Sequence, residues 1–390
     1  MPKTPDNGDH TATLAADRVV ALDRARTFIT LLVVLYHAVI NYTHFGIGGD
    51  RMRWLGFDLV VLFCDSFFMA CMFFISGLFV ADSLSRRGAS NYLAHRAFRL
   101  GVPFLISIFV LMPIAYYRYY HLEFDFLHYY AHMVTTGPWS AGSAWFLWVL
   151  LLFDAIAAAM FAAAPRAIAA LGRLVGGISN KPMTAFAAFA LFSILIYLPL
   201  RISIGESHWS ALGHYPIFIQ TSRAPLYAGY FLAGVAVGAA GLRKGALDQG
   251  SAIVRRWRTW LAVALAAYAA ILLLVTIHRS GIIDLRSPPL WWHATYGLVF
   301  ALFSAAMTFT VPAVFLRFAK APLRFLDGMQ KQAYGIYLLH FIPLIWLQYL
   351  VTDPPLPAFV KSAIVFTGTL SASWLATAGL RKVPFVARMI

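Results

Sequence analysis

Four ionisable side chains, His37, Asp65, Asp154 and His340, lie inside long apolar stretches. A charge is costly there, so each is a candidate for function by default. An imidazole can both take and return a proton near neutral pH, which makes the two histidines the groups suited to general acid–base or nucleophilic work. His37 follows Arg26 by eleven residues of helical pattern, a rise of ~16 Å. Eleven steps of ~100° end about 20° past three turns, so the two share one stripe of their helix. His340 stands nine residues, or ~13 Å, beyond Lys331, and Tyr337 lies three residues before it on the same face. Asp65 is twelve residues from Arg53, ~18 Å from one side of a ~30 Å hydrocarbon layer and about 12 Å from the other. His37, His340 and Asp65 therefore fall at one depth on three helices. Structural pairing with an Arg or a Tyr accounts equally well for Asp65 and Asp154.

The elements that carry these groups follow from composition. Of 390 residues 61% are hydrophobic and only 12% charged, against roughly 25% charged in soluble domains. The fold class expected is all-α, a polytopic membrane protein of about ten transmembrane helices. Ten apolar segments are long enough to span: 27–45, 56–81, 101–118, 144–164, 184–202, 225–240, 259–277, 290–314, 333–351 and 358–378. The shortest, 225–240, holds Gly229, Gly234 and Gly238, and small residues four apart favour close helix packing.

The 31 Lys and Arg exceed the 16 Asp and Glu, for a net charge of +15. With a cytoplasmic N-terminus, ten spans put 23 of those 31 on the cytoplasmic side, as the positive-inside rule requires, with both termini cytoplasmic. Orientation thus explains the basic balance, and no nucleic-acid partner is expected. The first seventeen residues are polar and have no apolar core, against a cleaved signal peptide. One membrane domain, 18–380, is expected between tails at 1–17 and 381–390. Cys64 and Cys71 are two helical turns apart and too distant for a disulfide. No metal site is expected. The outward segment 119–143 is rich in Tyr and His, which suits a headgroup belt or a sugar-binding mouth.

At the cytoplasmic surface, Arg96 and Arg99 project from one face within Arg96-Ala-Phe-Arg99-Leu100-Gly-Val-Pro103, with Arg86 and Arg87 upstream. Such a fork suits a phosphate or diphosphate, because guanidinium groups bind anions bidentately. Ordinary positive-inside anchoring explains it as well.

Together these elements resemble the acyltransferase-3 family of integral membrane acyltransferases. Arg26, ten residues, then His37 is similar to the family's first-helix pattern. Phe73-Phe74-Ile75-Ser76-Gly77, the Arg96–Pro103 stretch, Trp145-Phe146-Leu147 and Tyr334-Gly-Ile-Tyr337-Leu-Leu-His340 resemble four further elements in order. The chain looks closest to stand-alone members, including those that succinylate periplasmic glucans. Phe68 stands where glucan-type relatives carry a basic residue, which leaves acetyl as open as succinyl.

The resemblance implies transfer of an acetyl or succinyl group from cytoplasmic acyl-CoA, a co-substrate rather than a tightly bound cofactor, to a hydroxyl of an extracytoplasmic carbohydrate. The expected location is the inner (cytoplasmic) membrane, and membrane lipid is an expected partner. The implied roles are His37, His340 and Asp65 in catalysis, Arg26, Arg96 and Arg99 in donor binding, and Trp145 and Tyr337 in substrate binding. The competing class is a transporter or flippase that uses buried His and Asp as a proton relay. The acceptor, the acyl group, direct transfer against an acyl-histidine intermediate, and the oligomeric state stay open.

Overall fold

The computed structural model of the chain describes residues 7–45, 50–137, 139–206, 208–211, 215–241, 245–281, 288–318 and 321–390, with side chains of the first helix from Val20 onward. The first six residues of the expected tail, and the basic residues Lys3, Arg243, Lys244, Arg286 and Lys320, lie outside the described residues, as does the Arg18 side chain.

Helix α1 (Asn7–Val39) takes in most of the polar stretch 1–17 expected as a tail. The second apolar stretch is three helices rather than one: α2 (Leu55–Asp65), α3 (Phe68–Gly77) and α4 (Val80–Arg87). Cys64 and Cys71, both buried and free, lie on either side of the first break. From α5 (Ala89–Arg96) a helical rod continues to Tyr119 through α6 (Val102–Ile106) and α7 (Met112–Tyr116), joined by wide π turns at Ala97–Gly101 and Ser107–Leu111.

Each π turn precedes a proline, Pro103 or Pro113. A proline offers no N–H to the carbonyl four residues back and its ring crowds that carbonyl, so the wider turn relieves the clash. A tyrosine hydroxyl donates to each of those carbonyls, Tyr334 to Arg99 (2.6 Å) and Tyr130 to Phe109 (3.3 Å).

Beyond lie α8 (Phe126–Thr136), α9 (Trp145–Ala163), α10 (Pro165–Ser179) and α11 (Pro182–Ile204). A small antiparallel hairpin of β1 (Trp209–Ala211) and β2 (Phe218–Gln220) pairs Ser210 with Ile219. No alternating pattern in the sequence announces it. Then come α12 (Ala224–Ala239), α13 (Ala252–Arg255), α14 (Trp257–Arg279), α15 (Leu290–Arg317) and α16 (Arg324–Met329). The ninth expected span is a bent pair, α17 (Ala333–Leu339) and α18 (Phe341–Leu350), which meet at 51° around His340. Pro343 withholds the N–H that would take the Leu339 carbonyl, which weakens the helix there. Helices α19 (Ala358–Leu380) and α20 (Pro384–Met389) end the chain.

Among the described residues, eight helical stretches are long and apolar enough to cross a membrane, and the bent pair makes a ninth. The chain is an all-α, multi-pass membrane protein. The expected span 225–240 is α12, whose 16 residues rise only ~24 Å. It lies at the centre of the bundle against α3. Backbone contact requires glycine on both helices: a Cβ on Gly77 would meet the Phe231 carbonyl oxygen at 2.2 Å, and one on Gly234 would meet that of Phe74 at 2.1 Å. Arg24 ties α1 to α16 through Asp327 (2.5 Å) and the Ala321 carbonyl (2.9 Å).

Gly234→Ala should therefore force α3 and α12 apart and cost about 1–3 kcal/mol. Gly177→Ala, in α10 with nothing near the added carbon, should be neutral or stabilise by up to about 1 kcal/mol. Unfolding curves of the two variants in one detergent measure the contrast.

Candidate active site

A cavity of about 630 Å³ opens at the end of the bundle where Arg26, Arg96, Arg99 and Lys331 gather from α1, the α5 rod and the turn before α17. Each cation is placed by a local cause. Arg26 reaches Asp23 one turn back on α1 (3.1 Å), lies over the Phe79 ring (4.5 Å) and meets the Ile75 carbonyl (3.4 Å) beside the break between α3 and α4. Arg96 is held by Asp154, which has no solvent exposure, at 2.5 Å, and Tyr92 donates its hydroxyl to the other carboxylate oxygen at 2.5 Å. Asp154 thus has a structural role, fixing a cavity arginine from behind. Arg99 and Lys331 are exposed and have no carboxylate partner among the described residues. The four cations and the carboxylate of Asp23 leave the cavity positive, with its two unpaired cations able to bind an anion.

Phe146, Leu147 and Tyr337 also line the cavity. Tyr337 packs on His340, and the fold brings the two histidines, which sequence spacing placed at one depth, into contact. Their ring centroids are 5.3 Å apart, and Phe341 packs on both at 5.1 and 5.3 Å. His37 Nδ1 is 2.8 Å from the Val33 carbonyl oxygen one turn back, and His340 Nδ1 is 2.7 Å from that of Tyr337. A carbonyl only accepts, so both Nδ1 atoms carry the proton and both Nε2 atoms hold a lone pair. His340 Nε2 is fully buried and without a partner, while His37 is only half-buried. One imidazole is thus oriented and accessible to a reactant, and a second lies directly against it.

Tyr337, at 6.0 Å from the His340 ring, joins cavity and histidines, and its hydroxyl is committed to the Ser143 carbonyl. Asp65 is not part of this pair. It binds Arg223 at 2.6 Å, alongside Glu206. Trp145 packs on Tyr227 (5.8 Å) and Trp209 (5.9 Å) in that same neighbourhood. Sequence spacing missed Arg223, Glu206, Tyr92 and Tyr334. The partners of Arg223, Tyr92 and Tyr334 lie far off in the chain, whereas Glu206 pairs with Arg201 five residues before it. Among the described residues no group of three or more His, Cys, Asp or Glu is arranged to hold a metal ion.

A membrane bundle with an oriented imidazole pair beyond a cationic cavity is the class of protein that fold and site define. The family model described as an acyltransferase domain, that of the acyltransferase 3 family, matches residues 19–378, so the chain belongs to that family and is a membrane acyltransferase. No curated protein and no solved structure matches it.

Removing the Asp154 carboxylate strands Arg96 and Tyr92. Asp154→Ala should cost about 3 kcal/mol, as breaking a buried pair does. Asp82→Ala, which breaks an exposed pair with Arg86, should change stability by less than about 0.5 kcal/mol. Parallel unfolding curves measure the difference.

Proposed function

We propose that the protein moves an acetyl or succinyl group from acyl-CoA on the cytoplasmic side of the inner membrane to a hydroxyl of an extracytoplasmic carbohydrate, with His37 as general base. The observation that carries this reading is the His37 ring itself: Nδ1–H is spent on the Val33 carbonyl (2.8 Å), which leaves Nε2 as the one basic atom of a half-buried imidazole. The positive cavity supports the donor assignment. Arg99 and Lys331 meet the phosphates of the nucleotide, Arg26 and Arg96 line their approach, and the pantetheine arm extends past Tyr337 toward His37. Helix rise from Arg26 to His37, ~16 Å, is within reach of such an arm.

His37 Nε2 takes the proton from the acceptor hydroxyl as its oxygen attacks the thioester carbonyl. The tetrahedral oxyanion collapses, the carbon–sulfur bond breaks, and the proton held on His37 passes to the departing thiolate. His340, with an unpartnered lone pair beside the ring that becomes positive, stabilises the imidazolium and is a positioning residue rather than a second base. Tyr337 is the wall past which the thioester arm threads. Asp65, bound to Arg223, does not act on the donor.

His37→Ala should lower acyl transfer at least ~10³-fold with the fold intact, the size of effect expected of an acid–base group and its orientation together. His340→Ala should lower it less. The measurement is thioester loss from labelled acetyl-CoA or succinyl-CoA by purified protein in nanodiscs. Near-normal turnover in the His37 variant would sink the assignment, and movement of an acyl carrier without thioester loss would favour a transporter. Arg99→Ala combined with Lys331→Ala should raise the donor KM about tenfold or more.

A further inference from the structure

At the start of α12, away from the basic cavity, lies a second constellation that the donor chemistry does not use. Arg223, buried to 2% exposure, donates to the Asp65 carboxylate (2.6 Å), the Asp65 carbonyl (3.0 Å) and Glu206 (3.1 Å). Arg201, equally buried, donates to the second oxygen of Glu206 (3.3 Å) and meets His293 Nδ1 (3.1 Å). A cluster sealed for stability alone would bury its carboxylates as well, yet Asp65 and Glu206 keep 33% and 30% of their side-chain surface open. Behind them, Arg201 Nε, Arg223 Nε and the hydroxyl of Tyr197 are buried with no hydrogen-bond partner among the described residues. Unpaired buried donors lower stability unless a ligand or water fills them.

Two arginines and two carboxylates cancel, so the cluster has no net charge with which to select an ion. It offers open acceptors on the carboxylates and orphaned donors on the arginines and the phenol. A hydroxyl group both donates and accepts, and a polyol carries several at fixed spacing. Trp145, with Tyr227 and Trp209 against it, supplies a flat apolar wall for the C–H face of a sugar ring. Tyr36 links the cluster to the chemistry: it precedes His37 on α1 and packs on the Phe68 ring (5.3 Å) at the start of α3, three residues after Asp65.

We propose that this cluster is the acceptor subsite, in which Asp65 and Glu206, aligned by Arg223, bind hydroxyls of a neutral polyol and turn one of them toward His37. Arg223 is a positioning residue, and Asp65 touches the acceptor rather than the donor. The inference rests on the reading of His37 as general base and fixes where, and with what charge, the acceptor binds.

The test uses the full chain in nanodiscs with acetyl-CoA and succinyl-CoA as donors, and two acceptor probes: maltoheptaose, which is neutral, and an oligogalacturonate, which is anionic. Maltoheptaose should accelerate thioester loss more than the oligogalacturonate does. Glu206→Gln should raise the apparent KM for maltoheptaose at least fivefold with the donor KM within twofold. Tyr197→Phe serves as the second variant, because deleting an orphaned hydroxyl costs the fold nothing. A purely structural role predicts an unchanged acceptor KM and unchanged or higher stability. The subsite predicts an acceptor KM raised threefold or more.

Preference for the anionic probe, equal shifts in the donor and acceptor KM, or His37-dependent thioester loss that neither probe accelerates would overturn the subsite and leave the function proposed for His37 standing. Thioester loss that does not depend on His37 would overturn both.

Discussion

Asp154 has no contact with solvent, and its charge is tolerable only because Arg96 and Tyr92 bind both its oxygens. The same requirement recurs where this bundle buries Asp58 against Arg279 and Asp50 against Lys361, and the half-buried Asp65 is paired with Arg223 in the same way. Each pair joins segments remote in sequence, and Arg96, held this way, also lines the basic cavity. The position of Arg96 in the basic cavity and the neutral cluster near α12 both follow from that pairing. The histidines escape it, because a neutral imidazole needs only a carbonyl for its N–H, and each finds one within its own helix.

That arrangement needs breaks in the helices. The α3–α4 break offers the Ile75 carbonyl to Arg26, and the π turn ahead of Pro103 sets the Arg99 carbonyl where Tyr334 donates to it. The bend around His340 turns α17 and α18 so that His340 and Phe341 meet His37, with Tyr337 packed on His340. Glycine contacts between α3 and α12 hold the centre tight enough for these small displacements to persist. Site geometry and helix irregularity therefore have one origin, the prolines and glycines of the apolar segments.

Much of this was legible in the sequence. Apolar length gives the multi-pass class, and three glycines four or five residues apart give the close contact of α12. The stretch of a helix on which a side chain sits follows from a 1.5 Å rise per residue and from periodicity, both local quantities. Hence the relative heights of Arg26 and His37 along α1 follow from spacing alone. The breaks within 56–81 and the hairpin at Trp209–Gln220 were not legible. An unbroken run of apolar residues looks the same whether one helix or two occupy it, and three-residue strands have no period to detect.

What spacing could not supply is which groups at one depth touch. His37, His340 and Asp65 share a layer by arithmetic, yet only the two histidines meet, while Asp65 faces an arginine 158 residues away. Depth is set by position along one helix, whereas lateral contact is set by how the helices pack and by the requirement that every buried carboxylate find a cation. The sequence by itself determined the all-α membrane class and the spacing that singles out His37 and His340. Only the tertiary structure separated the imidazole pair from the carboxylate cluster, because that separation depends on pairings between distant parts of the chain.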